Sequence, residues 1–156
     1  MQTHHRLTPH RRRGTTLVET AVVLPFVFLF VFGTVALGMW IFRYQQVAAM
    51  AREGARYAAV HGAQYAADTG NAAATYTDIY NNAVLPYAVG LNPSDIVFGS
   101  GSVAWSLSNA PTSATSTGAT QMNTVSVTVT YNWTPEGGFI VGPIPLSSTS
   151  VMPMAY

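Results

Sequence analysis

Ala21-Val22-Val23-Leu24-Pro25-Phe26-Val27-Phe28-Leu29-Phe30-Val31-Phe32-Gly33-Thr34-Val35-Ala36-Leu37-Gly38-Met39-Trp40-Ile41-Phe42 is a run of 22 residues without a charge. As a helix rising 1.5 Å per residue it reaches about 33 Å, enough to cross the ~30 Å hydrocarbon core of a bilayer. A helix apolar on every side must be surrounded, and a chain of 156 residues, about one domain, has too little mass to do so. The run from Ala21 to Phe42, with Pro25 and Gly33 inside it, is therefore expected to span a membrane. Trp40 and Tyr44 stand near its far end, where interfacial aromatics collect. Pro25 has no N–H for the carbonyl of Ala21 and is expected to kink the span. Arg11, Arg12 and Arg13 precede the run, so the positive-inside rule leaves the N-terminus cytoplasmic and everything after Phe42 outside.

Composition agrees. The chain is 49% hydrophobic and 8% charged, against roughly 25% charged in an average soluble domain. All of the basic residues are arginine, and Arg6, Arg11, Arg12 and Arg13 sit in the first 14 residues with no acid among them. The remainder sets Arg43, Arg52 and Arg56 against Glu19, Glu53, Asp68, Asp78, Asp95 and Glu136, a mildly acidic body that does not suit nucleic acid. Cysteine is absent, which removes disulfides, Cys-based zinc sites, iron–sulfur clusters and thiol nucleophiles together.

Past the span the helical pattern continues to about Ala63 but becomes two-faced. Gln45, Gln46, Arg52, Glu53 and Arg56 fall within an arc of about 120°, and the opposite arc holds Tyr44, Val47, Ala48, Ala51, Gly54, Ala55 and Ala58. The small-residue face of Ala51, Gly54, Ala55 and Ala58 suits close packing, against the chain's own core or against neighbouring subunits. Asp68-Thr69-Gly70-Asn71 reads as a turn or cap, and Ala72 to Val89 as a second helix that Pro86 ends or kinks. The period then drops to two. Ile96-Val97-Phe98 and Val103 to Leu107 read as one strand region bulged at Gly99-Ser100-Gly101. Val125 to Tyr131 alternates valine with Ser/Thr, Ser108 to Thr120 reads as a mobile hairpin loop, and a last short strand falls around Leu146 to Met152. The expected fold is α+β: a long N-terminal transmembrane helix continuing into a small head with a second helix and a roughly three-stranded antiparallel sheet. The expected division is a basic leader 1–14, the helix 15–63, and an extracytoplasmic head 64–156.

Catalytic chemistry is thin. His61 is the one histidine after residue 14, no two acids have metal-ligand spacing, and neither a G-x-S-x-G nor a credible Ser/His/Asp set is present. Gly99-Ser100-Gly101-Ser102-Val103-Ala104 fits G-x-G-x-x-A but runs into a strand rather than opening a helix. Asn132-Trp133-Thr134 matches a short glycosylation sequon. An enzyme on the outer head would rest on Asp68, Asp78, Asp95, Glu136 and His61 alone, and no enzyme, metal or cofactor is expected.

The leader carries more. Arg11-Arg12-Arg13-Gly14-Thr15-Thr16-Leu17-Val18-Glu19 places a basic stretch, a glycine and a lone carboxylate five positions on, directly before the apolar run. This resembles the prepilin leader of type IV pilins and pseudopilins. The resemblance implies cleavage between Gly14 and Thr15 by a membrane-embedded prepilin peptidase, with Glu19 at mature position five. A residue without Cβ suits entry of extended backbone into a narrow cleft. Thr15 stands where Phe is common. Glu19 also has a local reading, because Thr16-Leu17-Val18-Glu19 is a capping box that could start the helix. An acid in or near a membrane calls for a partner, and the α-amine of a neighbour's Thr15, ordinarily protonated below about pH 8, is a fitting one.

Together with Val23-Leu24-Pro25, Phe32-Gly33 and Ala51-Arg52-Glu53-Gly54-Ala55-Arg56-Tyr57, that start is similar to the TadE-like family, pseudopilins of tight-adherence (Flp) pilus systems, over about residues 13–57. Thr20 departs from it, since an aromatic often follows the Glu. The resemblance implies a minor, non-catalytic pilus-assembly component in the bacterial inner membrane. Its implied partners are the bilayer, a prepilin peptidase, other pilins or pseudopilins and pilus assembly proteins. The alternative is an exported or membrane-anchored binding domain with an ordinary secretory signal cut at Ala36-Leu37-Gly38, although the apolar run far exceeds the usual 7–15 residues.

Overall fold

The computed structural model describes residues 13–135 and 142–155. Helix α1, Arg13–Val60, is one assigned helix through Pro25. Along it the hydroxyls of Thr20 and Thr34 donate to the carbonyls of Thr16 and Phe30, both at 2.8 Å, so neither adds an unsatisfied polar group to the apolar face. The chain divides into two compact units between Met39 and Trp40. The first is α1 up to Met39. The second begins at Trp40 and takes in the last turns of α1 as its main buried helix.

In that second unit α2, Ala63–Thr69, ends where Gly70 turns left-handed at φ 73° and its N–H reaches the carbonyl of Ala66. The second helix expected from Ala72 to Val89 is shorter and composite. It opens at Tyr76 as α3, Tyr76–Ile79, widens through a π turn at Tyr80–Val84 and tightens to a close as a 3-10 turn at Leu85–Tyr87 around Pro86. The late start has a local cause. Thr75 and Asp78 form a reciprocal capping box, while the N–H of Ala74 is taken by the carbonyl of His61 at 2.9 Å. The Thr75 N–H donates to Asp78 Oδ2 at 2.9 Å and its hydroxyl donates to the same oxygen at 2.6 Å. The hydroxyl bond, and then the backbone one, hold the Asp78 carboxyl below the ordinary aspartate value.

The sheet is antiparallel with β5, Thr124–Trp133, at its centre. On one side lies β6, Ile144–Pro153, paired over its whole length from Thr124↔Pro153 to Trp133↔Ile144 and longer than the expected short strand. The other side is shared by β1, Ile96–Val97, and β2, Val103–Trp105, with a 3-10 turn at Ser100–Ser102 between them. Their registers on β5 differ by three residues, so the expected bulged strand is a strand interrupted by a turn. The Ser108–Thr120 segment, expected as a mobile loop, instead contributes to a second hairpin of β3, Thr112–Ala114, and β4, Thr120–Met122. Asn123 is the reason. Fully buried, it donates to the carbonyl of Ala110 and the hydroxyl of Ser113 at 2.8 Å, and its Oδ1 accepts from Ser106. An amide buried with its partners in place stabilises the turn that supplies them.

The core lies between α1 and β5. Burial alternates without a break along β5, with Val125, Val127, Val129, Tyr131 and Trp133 turned inward. Val47, Met50, Ala51, Ala55, Ala58 and Ala59 of α1 are buried too, joined by Ile79, Ala83 and Val84. Gly54 sets the spacing: a Cβ there would lie 3.0 Å from Val127 Cγ1 and 3.3 Å from Val84 Cγ2. At the far end Ala155 N–H donates to Ala59 O and Met154 N–H to Asn123 O, fastening the C-terminal segment to both.

Two predictions come from this packing. Gly54→Leu forces the helix off the sheet and lowers the stability of the purified protein by about 1–3 kcal/mol, read as a shifted denaturant midpoint. An unchanged midpoint shows that the close approach is not formed. For Asp78 the folded pKa is depressed, so its contribution is present above the ordinary value of 3.8 and lost as pH falls through the folded one. The difference in denaturant midpoint between wild type and Asp78→Asn is expected near pH 6 and absent near pH 2; a difference that is the same at both pH values argues against it.

Candidate functional site

The feature that stands out is apolar surface the chain leaves uncovered. From Thr16 to Phe42 every side chain is exposed except Met39, which is half-buried. Leu17, Phe26, Leu29 and Phe30 are each more than 70% exposed. Moving one such side chain out of water is worth about 1.5–3 kcal/mol, so the segment as a whole demands an apolar surrounding. It is the one candidate membrane span among the described residues, and no part of its apolar window is buried. Ala21, Pro25 and Gly33 lie within this exposed length, Phe42 ends it, and Trp40 stacks on Tyr44 with ring centroids 6.0 Å apart. Pro25 sits inside α1 without ending it.

At the start of α1 the capping reading of Glu19 is corrected. The helix is already formed at Arg13, its first turn holds no acid, and Thr16 is an interior residue whose carbonyl serves Thr20. Glu19 is exposed, beside Thr20, Val23, Leu24 and Val27 in a shallow groove of the apolar face. Gly14 and Thr15 carry helical backbone in the first turn. A terminal turn is the least costly part of a helix to unwind, and a glycine there lowers the cost further by about 0.5–1 kcal/mol relative to alanine. The leader before residue 13, with Arg11 and Arg12, lies outside the described residues, as does Glu136.

Ala51, Gly54, Ala55 and Ala58 are all buried beneath the chain's own sheet and second helical segment. The opposite face carries the Arg56–Glu53 ion pair at 3.5 Å, a solvated i,i+3 contact of little energetic weight. Where α1 ends, His61 stacks on Tyr57 at 4.0 Å, meets Tyr65 edge-on at 4.7 Å, and its Nδ1 lies 2.9 Å from the carbonyl of Tyr57. A groove of about 200 Å³ beside them is lined by Glu53, Tyr57, Asn82 and Tyr87 among others. Burial, then the negative charge of Asp78, raises the Tyr57 phenol above its ordinary value.

Asp68 is engaged by Gln64 at 2.9 Å and Asp78 by Thr75, and no cluster of three His, Asp or Glu capable of holding a metal occurs among the described residues. Gly99-Ser100-Gly101 leads into β2, not into a helix, and makes no phosphate cradle. One polar device has no local signature in the chain. Arg43 Nη1 donates to the carbonyl of Gly90, and Gln46 Nε2 donates to that of Val89 at 2.7 Å. Both bonds tie α1 to backbone more than 40 residues away, where no local pattern announces them.

Residues 14–56 match the family described as TadE-like protein. The match ends at Arg56, so the sheet and the composite second helix lie beyond it. No curated protein matches the chain, and no solved structure does.

Proposed function

From the TadE-like stretch at residues 14–56, in a family of generally non-catalytic pilus components, we propose that this chain is a minor pilin or pseudopilin of Tad/Flp pilus assembly. The observation that carries the reading is the overlap of that stretch with an apolar helical segment left bare from Thr16 to Phe42. In the reading, a prepilin peptidase cuts between Gly14 and Thr15, the segment Ala21 to Phe42 holds the protein in the inner membrane with its N-terminus cytoplasmic, and the head works outside. Its partners are the bilayer, the peptidase, other pilins and pilus assembly proteins, met through surfaces and not through a reaction.

Glu19 is given the assembly role. It stands two residues before the uncharged run, near an interface, and a charged Asp at the centre of a span costs roughly 2.5–3.5 kcal/mol, less towards the edge. The exposed α-amine created at Thr15 of an incoming subunit offsets that cost and fixes the depth at which two helices meet.

The alternative, an ordinary secretory signal cut after Gly38, draws support from one fact: the second compact unit begins just beyond, at Trp40. Sequencing the N-terminus of the protein purified from membranes decides between the two. A chain starting at Thr15 is expected, whereas intact Met1 or a start at Met39 overturns the pseudopilin reading. For Glu19, the expected outcome of Glu19→Gln is normal insertion and processing, with crosslinking to pilin partners and surface piliation lost. Normal piliation in that strain removes the pairing role.

A further inference from the structure

The clamp between α1 and the backbone at Val89 and Gly90 presents a residue that is turned away from the core. Val89 is 72% exposed, while the loop is anchored on either side by Val84 at 0% and Leu91 at 7%, and Tyr87 lines the groove with Glu53, Tyr57 and Asn82. The loop is also tightly wound. Ala88 N–H donates to Leu85 O at 3.0 Å, Leu91 N–H to Ala88 O at 3.1 Å, and Gly90 adopts φ 72°, a conformation that suits glycine. A segment held this firmly with the apolar side chain of Val89 outward is shaped for a contact.

Its position says with what. Arg43 and Gln46, which hold it, are one and four residues past Phe42, where the uncharged run ends. At 1.5 Å per residue, Gln46 stands about 6 Å beyond that end, within the ~5–8 Å of headgroup region on each side of the hydrocarbon. Trp40 and Tyr44, stacked on each other, mark the same level. From Ile79 to Ser94 the chain carries no charged residue, so nothing in the loop resists entry into the boundary between headgroups and acyl chains.

We infer that the loop Leu85 to Leu91 is a second membrane contact, in which Val89 enters the interfacial layer of the bilayer at the level of Trp40 and Tyr44 and seats the head on the lipid surface. The contact is with lipid as an apolar boundary, not with a particular headgroup. It rests on the reading of Ala21 to Phe42 as a membrane span, and the test separates the two.

The chain has no cysteine, so single cysteines report cleanly. Val89→Cys, Val35→Cys within the run and Met122→Cys on β4 each carry an environment-sensitive NBD label in the full-length protein, reconstituted in phosphatidylcholine vesicles. Met122 is 64% exposed and adjoins Asn123, whose carbonyl takes Met154 N–H next to the Ala155–Ala59 bond, so it lies level with Ala59, far from the bilayer. Two quenchers are compared: aqueous iodide and a lipid with a nitroxide high on its acyl chain. The expected result is that iodide quenches Met122 several-fold more than Val89 and barely touches Val35, while the shallow nitroxide quenches Val89 strongly. If Val89 behaves like Met122 while Val35 stays protected, the loop contact is overturned and the span survives. Protection of Val89 from iodide without nitroxide quenching also overturns it, in favour of a protein covering the loop. If Val35 is as open to iodide as Met122, span and loop contact fall together.

Discussion

The distance between α1 and β5 at Gly54 is the constraint on which the head depends. With Val127 Cγ1 only 3.0 Å from where a Cβ would sit, backbone rather than side chain touches the sheet at the centre of the interface. The residues around Gly54 must then be small as well, and Ala51, Ala55 and Ala58 are. The sheet answers with β-branched residues: a row of valines at 125, 127 and 129 gives an even surface whose χ1 rotamers are already restricted, so ordering them costs little. Larger side chains appear only where the helix has room, Met50 and Val47 towards its entry and Tyr131 and Trp133 at the matching end of β5.

Features legible in the sequence share one property: they are written in neighbouring residues. The Ala21–Phe42 run needs nothing but composition, and β5 needs nothing but alternation, which burial follows residue by residue. The small face of α1 was legible as a face, but its occupant was not, because a stripe of alanines looks the same whether it meets a sheet or another subunit. Long-range polar pairs were the blind spot. Asn123 converts the Ser/Thr tract into a hairpin through partners 10 to 15 residues away, and Arg43 and Gln46 fix the Val89 loop across more than 40. At Glu19 a local pattern misled. A Thr-x-x-Glu box marks a helix start only where no earlier residue is helical, and α1 is already under way at Arg13; at Thr75 the same kind of box is real because the backbone before it is committed elsewhere.

In the head most charged groups given a partner find it close by: Glu53 with Arg56, Asp68 with Gln64, Asp78 with Thr75. Such local pairing keeps these polar groups dispersed along the chain. What the molecule offers instead is surface of sharply different kinds, a bare apolar helix and a Ser/Thr sheet face where Thr128 meets Thr149 and Thr130 meets Ser147 across the strands. Chemistry of this sort suits a component that is placed and packed, in keeping with the TadE-like stretch at its start.

One helix is asked to satisfy two surroundings, and the change happens within about a turn. At Phe42 the side chain is exposed, at Val47 it is 0% exposed, and between them stand Arg43 and Gln46 with their backbone partners from the Val89 loop. Polar side chains at such a junction would leave donors unmatched on both sides, in lipid above all. Carbonyls of a loop that carries no charge resolve this, because they accept the donors of Arg43 and Gln46 while adding only apolar surface to the outside. The bare stretch before the junction can then be apolar on every side, while the stretch after it divides between a small-residue face turned to the core and a face carrying Glu53 and Arg56 to solvent.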